Sequence, residues 1–198
     1  MQIIPIEELS QGACIVNLKS QFKPYADFAR LNYDARDRAH DFGHIERMMG
    51  RLSMLSEGLE GVRPYMLHFL TAFHGLWPFW HDDPKFPAKA ISFLQELGWR
   101  ESEIEEAATC LQRHLKDPQT VEEKVVHDAN YMELLGAFGI AKAFTVGGSL
   151  GQTYEETAEI FENRYLNVVK FCTPVGKRMA GEGMAYAKAF LTRLKNEW

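Results

Sequence analysis

Val125-Val126-His127-Asp128-Ala129-Asn130-Tyr131-Met132-Glu133-Leu134-Leu135-Gly136-Ala137-Phe138-Gly139-Ile140-Ala141-Lys142-Ala143-Phe144 decides how this chain is read. Its apolar positions recur at helical rather than strand spacing. Ala129, Gly136, Ala137, Gly139, Ala141 and Ala143 leave room for another backbone to approach closely. The stretch predicts two helices in tandem, or one broken helix, over Thr120 to Leu135 and Gly136 to Thr145.

Working outward, the same period continues in both directions. A helix is expected after Pro24, where Tyr25, Phe28, Ala29 and Tyr33 form a stripe, following a lead-in over residues 1–24. Asp41 is placed to cap a helix running through Ile45, Met48, Met49, Leu52 and Leu55 to Gly58 or Gly61. Val62 to Phe73 is apolar apart from Arg63, His68 and Thr71, so it belongs at the centre of a bundle, ending at Gly75 or before Pro78. His68 reads as a satisfied helix histidine.

Trp77-Pro78-Phe79-Trp80-His81-Asp82-Asp83-Pro84 reads as a loop packed over something. Helices follow over Pro87 to Leu97, stopped by Gly98, and from about Glu101 to His114. Gly147-Gly148-Ser149-Leu150-Gly151 is expected to be a flexible loop, and no Gly-Lys-Ser/Thr follows that would make it cradle phosphate. Two last helices are expected over Tyr154 to Phe171 and Val175 to Lys195. Alternating strand patterns are nearly absent, so the expectation is an all-α, single-domain helical bundle over residues 25–198.

At 198 residues, with 46% hydrophobic and 25% charged side chains, the chain can build one sizeable core without disulfides. Cys14, Cys110 and Cys172 are odd in number, widely spaced and without a CxxC pair, which reads as free thiols in a reducing compartment. Twenty-two Lys and Arg against 27 Asp and Glu, with no basic block, argue against a long nucleic acid as partner. The N-terminus lacks a cationic and apolar leader, and no apolar run is long enough to span a membrane, so a cytoplasmic protein is expected. A small phosphorylated ligand remains compatible with this charge, and so does a homo-oligomer.

His40-Asp41-Phe42-Gly43-His44-Ile45-Glu46-Arg47-Met48 resembles the opening motif of the HD-domain superfamily, specifically its small bacterial phosphohydrolases. Leu67-His68-Phe69-Leu70-Thr71-Ala72-Phe73-His74-Gly75-Leu76 is similar to the apolar helix that ends in that family's His-Asp dyad. The stretch from Val125 to Phe144 is similar to its Asp-Ala-Asp run, and Thr173-Pro174-Val175-Gly176-Lys177 also matches. The resemblance implies a helical bundle holding a divalent ion (Mn, Fe, Co, Ni, Mg or Zn) on His44, His74 and Asp128. By the same resemblance His40-Asp41 leads into the site and Arg47 stands behind His44, so His40 and Arg47 are candidate substrate contacts. Lys142 joins them, with Arg36, Arg38 and Lys124, as cations placed to meet a substrate phosphate. His114, at the end of a helix, falls where relatives carry a histidine and is a candidate for managing protons.

The departures are as specific as the matches. Gly75 stands where the dyad aspartate belongs, and Asn130 and Glu133 replace two further acids or near-acids. His81-Asp82, seven residues beyond His74, is the pair that could fold back to supply the missing ligand and share the catalytic role. Hydrolysis of a small phosphoester, with a nucleotide as one option, is the implied activity. Two imidazoles and one carboxylate would also suit a mononuclear iron oxygenase or lyase, and a binding protein that keeps the scaffold without catalysis is the third reading.

Overall fold

The computed structural model of the protein describes residues 18–33 and 41–197. His40, Arg36, Arg38 and Cys14 lie outside them. Among the described residues there is no strand, and the chain folds as a single all-α bundle. In order, α1 spans Leu18–Tyr33, α2 Phe42–Leu55, α3 Pro64–Phe73, α4 Trp77–Asp82 and α5 Phe86–Glu96. Then come α6 Glu101–Arg113, α7 Val121–Tyr131, α8 Gly136–Ser149, α9 Tyr154–Ile160 and α10 Pro174–Lys195. None of these helices is long and apolar enough to cross a membrane.

The apolar α3 takes the central place that its composition demands. Every residue from Met66 to Phe73 is buried, and the helix packs against α1, α2, α6 and α7. His68 sits among Phe22 and Tyr25. Its Nε2 has no hydrogen-bond partner among the described residues, so it is not the satisfied histidine expected from the sequence. Desolvation depresses its pKa to about 4.

Four local expectations change. The first helix begins at Leu18 and carries Pro24 inside it, so it reaches back across the expected lead-in. The aromatic stretch after His74 is not a loop: a 3₁₀ turn over His74–Leu76 leads into α4, whose first turn holds Pro78. A proline there costs no hydrogen bond, because the first N–H groups of a helix have no partner in any case. Phe79 and Trp80 then pack on Phe86.

The glycines after Val146 are also helical, since α8 continues to Ser149. A β-carbon on Gly147 would lie 2.1 Å from Thr157 Oγ1, so these residues allow α9 to close on α8 rather than loosening the chain. Finally, α9 does not run to Phe171. It passes into a π-helical turn over Phe161–Leu166.

The tandem helices of the opening stretch are resolved as α7, a 3₁₀ turn over Met132–Leu134, and α8. Gly136, at φ +63°, makes the break. At its start α7 is held by a capping box in which Thr120 and Glu123 exchange bonds with each other's backbone. Glu122 and Glu123 are buried there, paired with Arg63 and Arg113.

Candidate functional site

Helices α2, α6, α7 and α8, with the turn after α3, enclose a cavity of about 610 Å³. Its polar end is made by His44 from α2, His74 from the 3₁₀ turn, His114 from the end of α6, Asn130 from α7 and Lys142 from α8. Its walls are apolar, built from Leu134, Val146, Leu150, Ile160, Phe161 and Tyr165 among others. No carboxylate lines it among the described residues.

The three imidazoles form a chain. His44 Nε2 lies 3.0 Å from His74 Nε2, and His74 Nδ1 lies 3.4 Å from His114 Nε2. The outer nitrogens decide where the protons are. His44 Nδ1 faces Glu133 Oε2 at 2.8 Å and His114 Nδ1 faces the Leu111 carbonyl at 2.8 Å. Both partners accept hydrogen bonds, so each Nδ1 carries its proton outward, and each Nε2 turns a lone pair on His74. Desolvation lowers the pKa of His44 despite its bond to Glu133, and lowers that of His114 to about 4. Both rings are therefore neutral at pH 7. A neutral His74 can donate to one of these lone pairs, and only an imidazolium can donate to both.

Glu133 is the hub behind this chain. It is fully buried, and it receives Arg47 Nε at 2.6 Å and Lys142 Nζ at 3.0 Å as well as His44. Arg51 approaches to 3.4 Å. Burial alone would raise its pKa, but the bonds from His44 and Arg47 and the charge of Lys142 outweigh that and hold it well below the usual carboxylate range. One carboxylate among three cations leaves this end of the cavity positively charged.

The residues expected from the sequence divide clearly. His44, His74 and His114 come together at the cavity, and Lys142 joins them. Arg47 does not line it: the side chain turns to Glu133, with its guanidinium 4.8 Å from the centre of the Phe138 ring. His81 and Asp82 do not fold back. Each side chain is 73% exposed, and they pair with each other at 2.7 Å on the outer end of α4.

Asp128 is also placed elsewhere. Its carboxylate accepts the backbone N–H groups of Cys172 and Thr173, both at 2.8 Å, and the Thr173 hydroxyl at 2.7 Å. Residues two apart on a helix differ by about 200° in direction. With Asp128 turned to the start of α10, Asn130 and Tyr131 are the residues of α7 that meet the cavity. The sequence marked Asn130 as a departure without revealing that it faces the site.

No protein-family model matches the chain, and no curated protein matches it by sequence. Solved structures do match in shape. The Lin1889 protein of Listeria innocua superposes with a TM-score of 0.72 at 21% identity, covering 91% of this chain and 97% of that one. A protein described as an HD-superfamily hydrolase from Bacillus thuringiensis gives 0.71 at 21% identity over 91% and 98%. The chain has the HD-domain fold. YpgQ of Bacillus subtilis, solved in complex with ADP, gives 0.74 at 18% identity over 92% and 97%. Within this HD-domain scaffold, the polar end of the cavity is built from imidazoles, an amide and an amine.

This donor set fits some metal ions and not others. Two imidazole nitrogens bound at about 2.0–2.1 Å to one ion stand about 2.9–3.4 Å apart for ordinary coordination angles. The His44 and His74 Nε2 atoms already have that separation. Imidazole suits borderline ions such as Zn, Fe, Co or Ni, whereas Mg and Ca seek the carboxylates that are missing here.

Proposed function

We propose that the cavity is the site of a divalent-metal-dependent hydrolase acting on a small phosphoester whose body is aromatic or apolar. The observation that carries this reading is the His44–His74 pair, with one lone pair aimed inward by the Glu133 hydrogen bond. His44 and His74 would hold the ion. When bound, such an ion lowers the pKa of a coordinated water and polarises a phosphoryl oxygen. Two solved proteins of similar shape are described as HD-superfamily hydrolases, one of them as a predicted one, which supports the reading. The ADP complex of YpgQ supports a nucleotide-sized anion as the ligand.

The protein's own groups then have separate tasks. Lys142 and the excess charge around Glu133 attract the phosphoryl group, and the lack of lining carboxylates removes repulsion. The Asn130 amide offers a neutral hydrogen-bond partner. His114 holds the orientation of His74 from its far side and keeps a lone pair towards it. The apolar wall receives the substrate's body and excludes water.

The test is phosphate or pyrophosphate release from nucleotides and aryl phosphates by protein stripped of metal and reloaded with Zn, Fe, Mn, Co or Ni. Release is expected only after reloading, with a loss of 100-fold or more in His44→Ala. Activity that persists without metal, or that survives His44→Ala, overturns the proposal. The carboxylate-free lining, with Lys142 at its polar end, also favours a second reading, in which the cavity binds an anion without chemistry. Calorimetric binding of a nucleotide with no turnover under any metal selects it.

A further inference from the structure

A second cluster of metal-binding side chains lies where Asp128 meets the start of α10. His127 Nδ1 is 3.2 Å from Asp128 Oδ1 and 3.8 Å from Cys172 Sγ, and the three ligand atoms all lie within 4.8 Å of one another. We propose that His127, Asp128 and Cys172 form a site for a thiophilic divalent ion such as Zn²⁺, separate from the cavity and independent of its function.

The geometry distinguishes this from a nucleophilic triad. A thiol–imidazole–carboxylate relay needs the two ring nitrogens to face different partners, one to take the proton and one to be held. Here a single nitrogen, Nδ1, faces both sulfur and oxygen. Convergence on one point is what a shared ion requires. With bonds of about 2.3 Å to sulfur and about 2.0–2.2 Å to nitrogen and oxygen, the edges of a zinc tetrahedron measure about 3.3–3.6 Å. The N···O and S···N distances come within a few tenths of an ångström of those values.

The surroundings are organised in the same sense. The Cys172 N–H fixes Oδ1, and the Thr173 N–H and hydroxyl fix Oδ2, so the carboxylate is held before an ion arrives. Cys172 is partly exposed, which gives an entry path and leaves the fourth position to water. Burial and the charge of Asp128 keep the thiol protonated, against the opposing influence of Lys124 and Lys177. Binding therefore breaks the S–H bond, sends that proton to solvent and forms the metal–sulfur bond, with no change of oxidation state.

Titration of the metal-free full chain with Co²⁺ tests the site, because a thiolate ligand adds a charge-transfer band in the near ultraviolet. The band is expected in the wild type and in His44→Ala, which lacks the cavity's imidazole pair. It is expected to vanish in Cys172→Ser, to need at least about 10-fold more Co²⁺ in His127→Gln, since losing a ligand costs no less than losing a partner behind one, and to remain in Cys14→Ser and Cys110→Ser. Cys172→Ser keeps the backbone N–H that holds Asp128, and an unchanged circular dichroism spectrum verifies its fold. Absence of the band in wild type, or its persistence in Cys172→Ser, overturns the proposal.

Discussion

Replacing Glu133 by glutamine keeps its shape and removes its charge from among Arg47, Arg51 and Lys142. Breaking one side of a fully buried ion pair costs about 3–5 kcal/mol. Here the cationic side chains are 37%, 25% and 13% exposed, so water compensates part of that. We expect a loss of about 2–3 kcal/mol at pH 7. For a domain of this size that corresponds to a fall in Tm of roughly 5–10 °C. The pH dependence has a definite sign. Because the folded pKa of Glu133 is depressed, its contribution is present above the unfolded value near 4.5 and is lost as pH falls through the lower folded value. The gap between wild type and Glu133→Gln should therefore narrow below pH 4.5 by about 1.4 kcal/mol per unit. His68 and His114, whose pKa values are also depressed, lose stability between about 6.5 and 4 in both proteins and largely cancel in the comparison. Urea unfolding followed by circular dichroism at pH 7 and pH 3.5 measures both quantities. A gap below about 0.5 kcal/mol at pH 7, or one unchanged at pH 3.5, would refute the assignment of Glu133 as the charged hub.

Three further outcomes follow from the same contacts. Gly75→Asp adds a carboxylate beside His74 and should strengthen Mn²⁺ binding at least tenfold by calorimetry; unchanged affinity counts against this rim of the cavity as the metal position. His68→Leu removes a buried nitrogen without a partner among the described residues and should raise stability by about 1 kcal/mol in urea unfolding, with a shallower loss between pH 6.5 and 4. Asp128→Asn replaces an acceptor-only group facing three donors by one that carries its own N–H. It should cost about 1–3 kcal/mol in urea unfolding while leaving any metal held by His44 and His74 in place, as seen by metal analysis in a Cys172→Ser background that already lacks the second site's thiol.

Much of the bundle was legible because helical periodicity and burial have one cause. The continuous apolar run of α3 could only be central, and Gly98 could stop α5 because it takes a positive φ of 85°. What escaped the sequence depends on contacts between distant residues. Glu133 meets His44 across 89 positions, so its replacement for an acid could be seen but its role as hub could not. Asp128 and Asn130 are two residues apart, and the choice between them turns on the rotation of α7 about its axis, which periodicity does not resolve here. In the sequence Pro78 looks like a helix stop, yet it starts a new helix, because proline suits the first turn as well as it ends the last one. Gly147 looks like a loop residue in the sequence, yet its missing side chain makes room for Thr157 within the packed helices.

The π-helical turn over Phe161–Leu166 places Phe161 and Tyr165 on the cavity wall. A π turn behaves as one residue inserted into an α-helix. Deleting a single residue there would restore the tighter winding and rotate everything beyond it by about 100° relative to the preceding turn. The width and lining of the ligand chamber are thus tied to chain length at one spot, so a shortened relative would present a differently shaped chamber even with every imidazole unchanged.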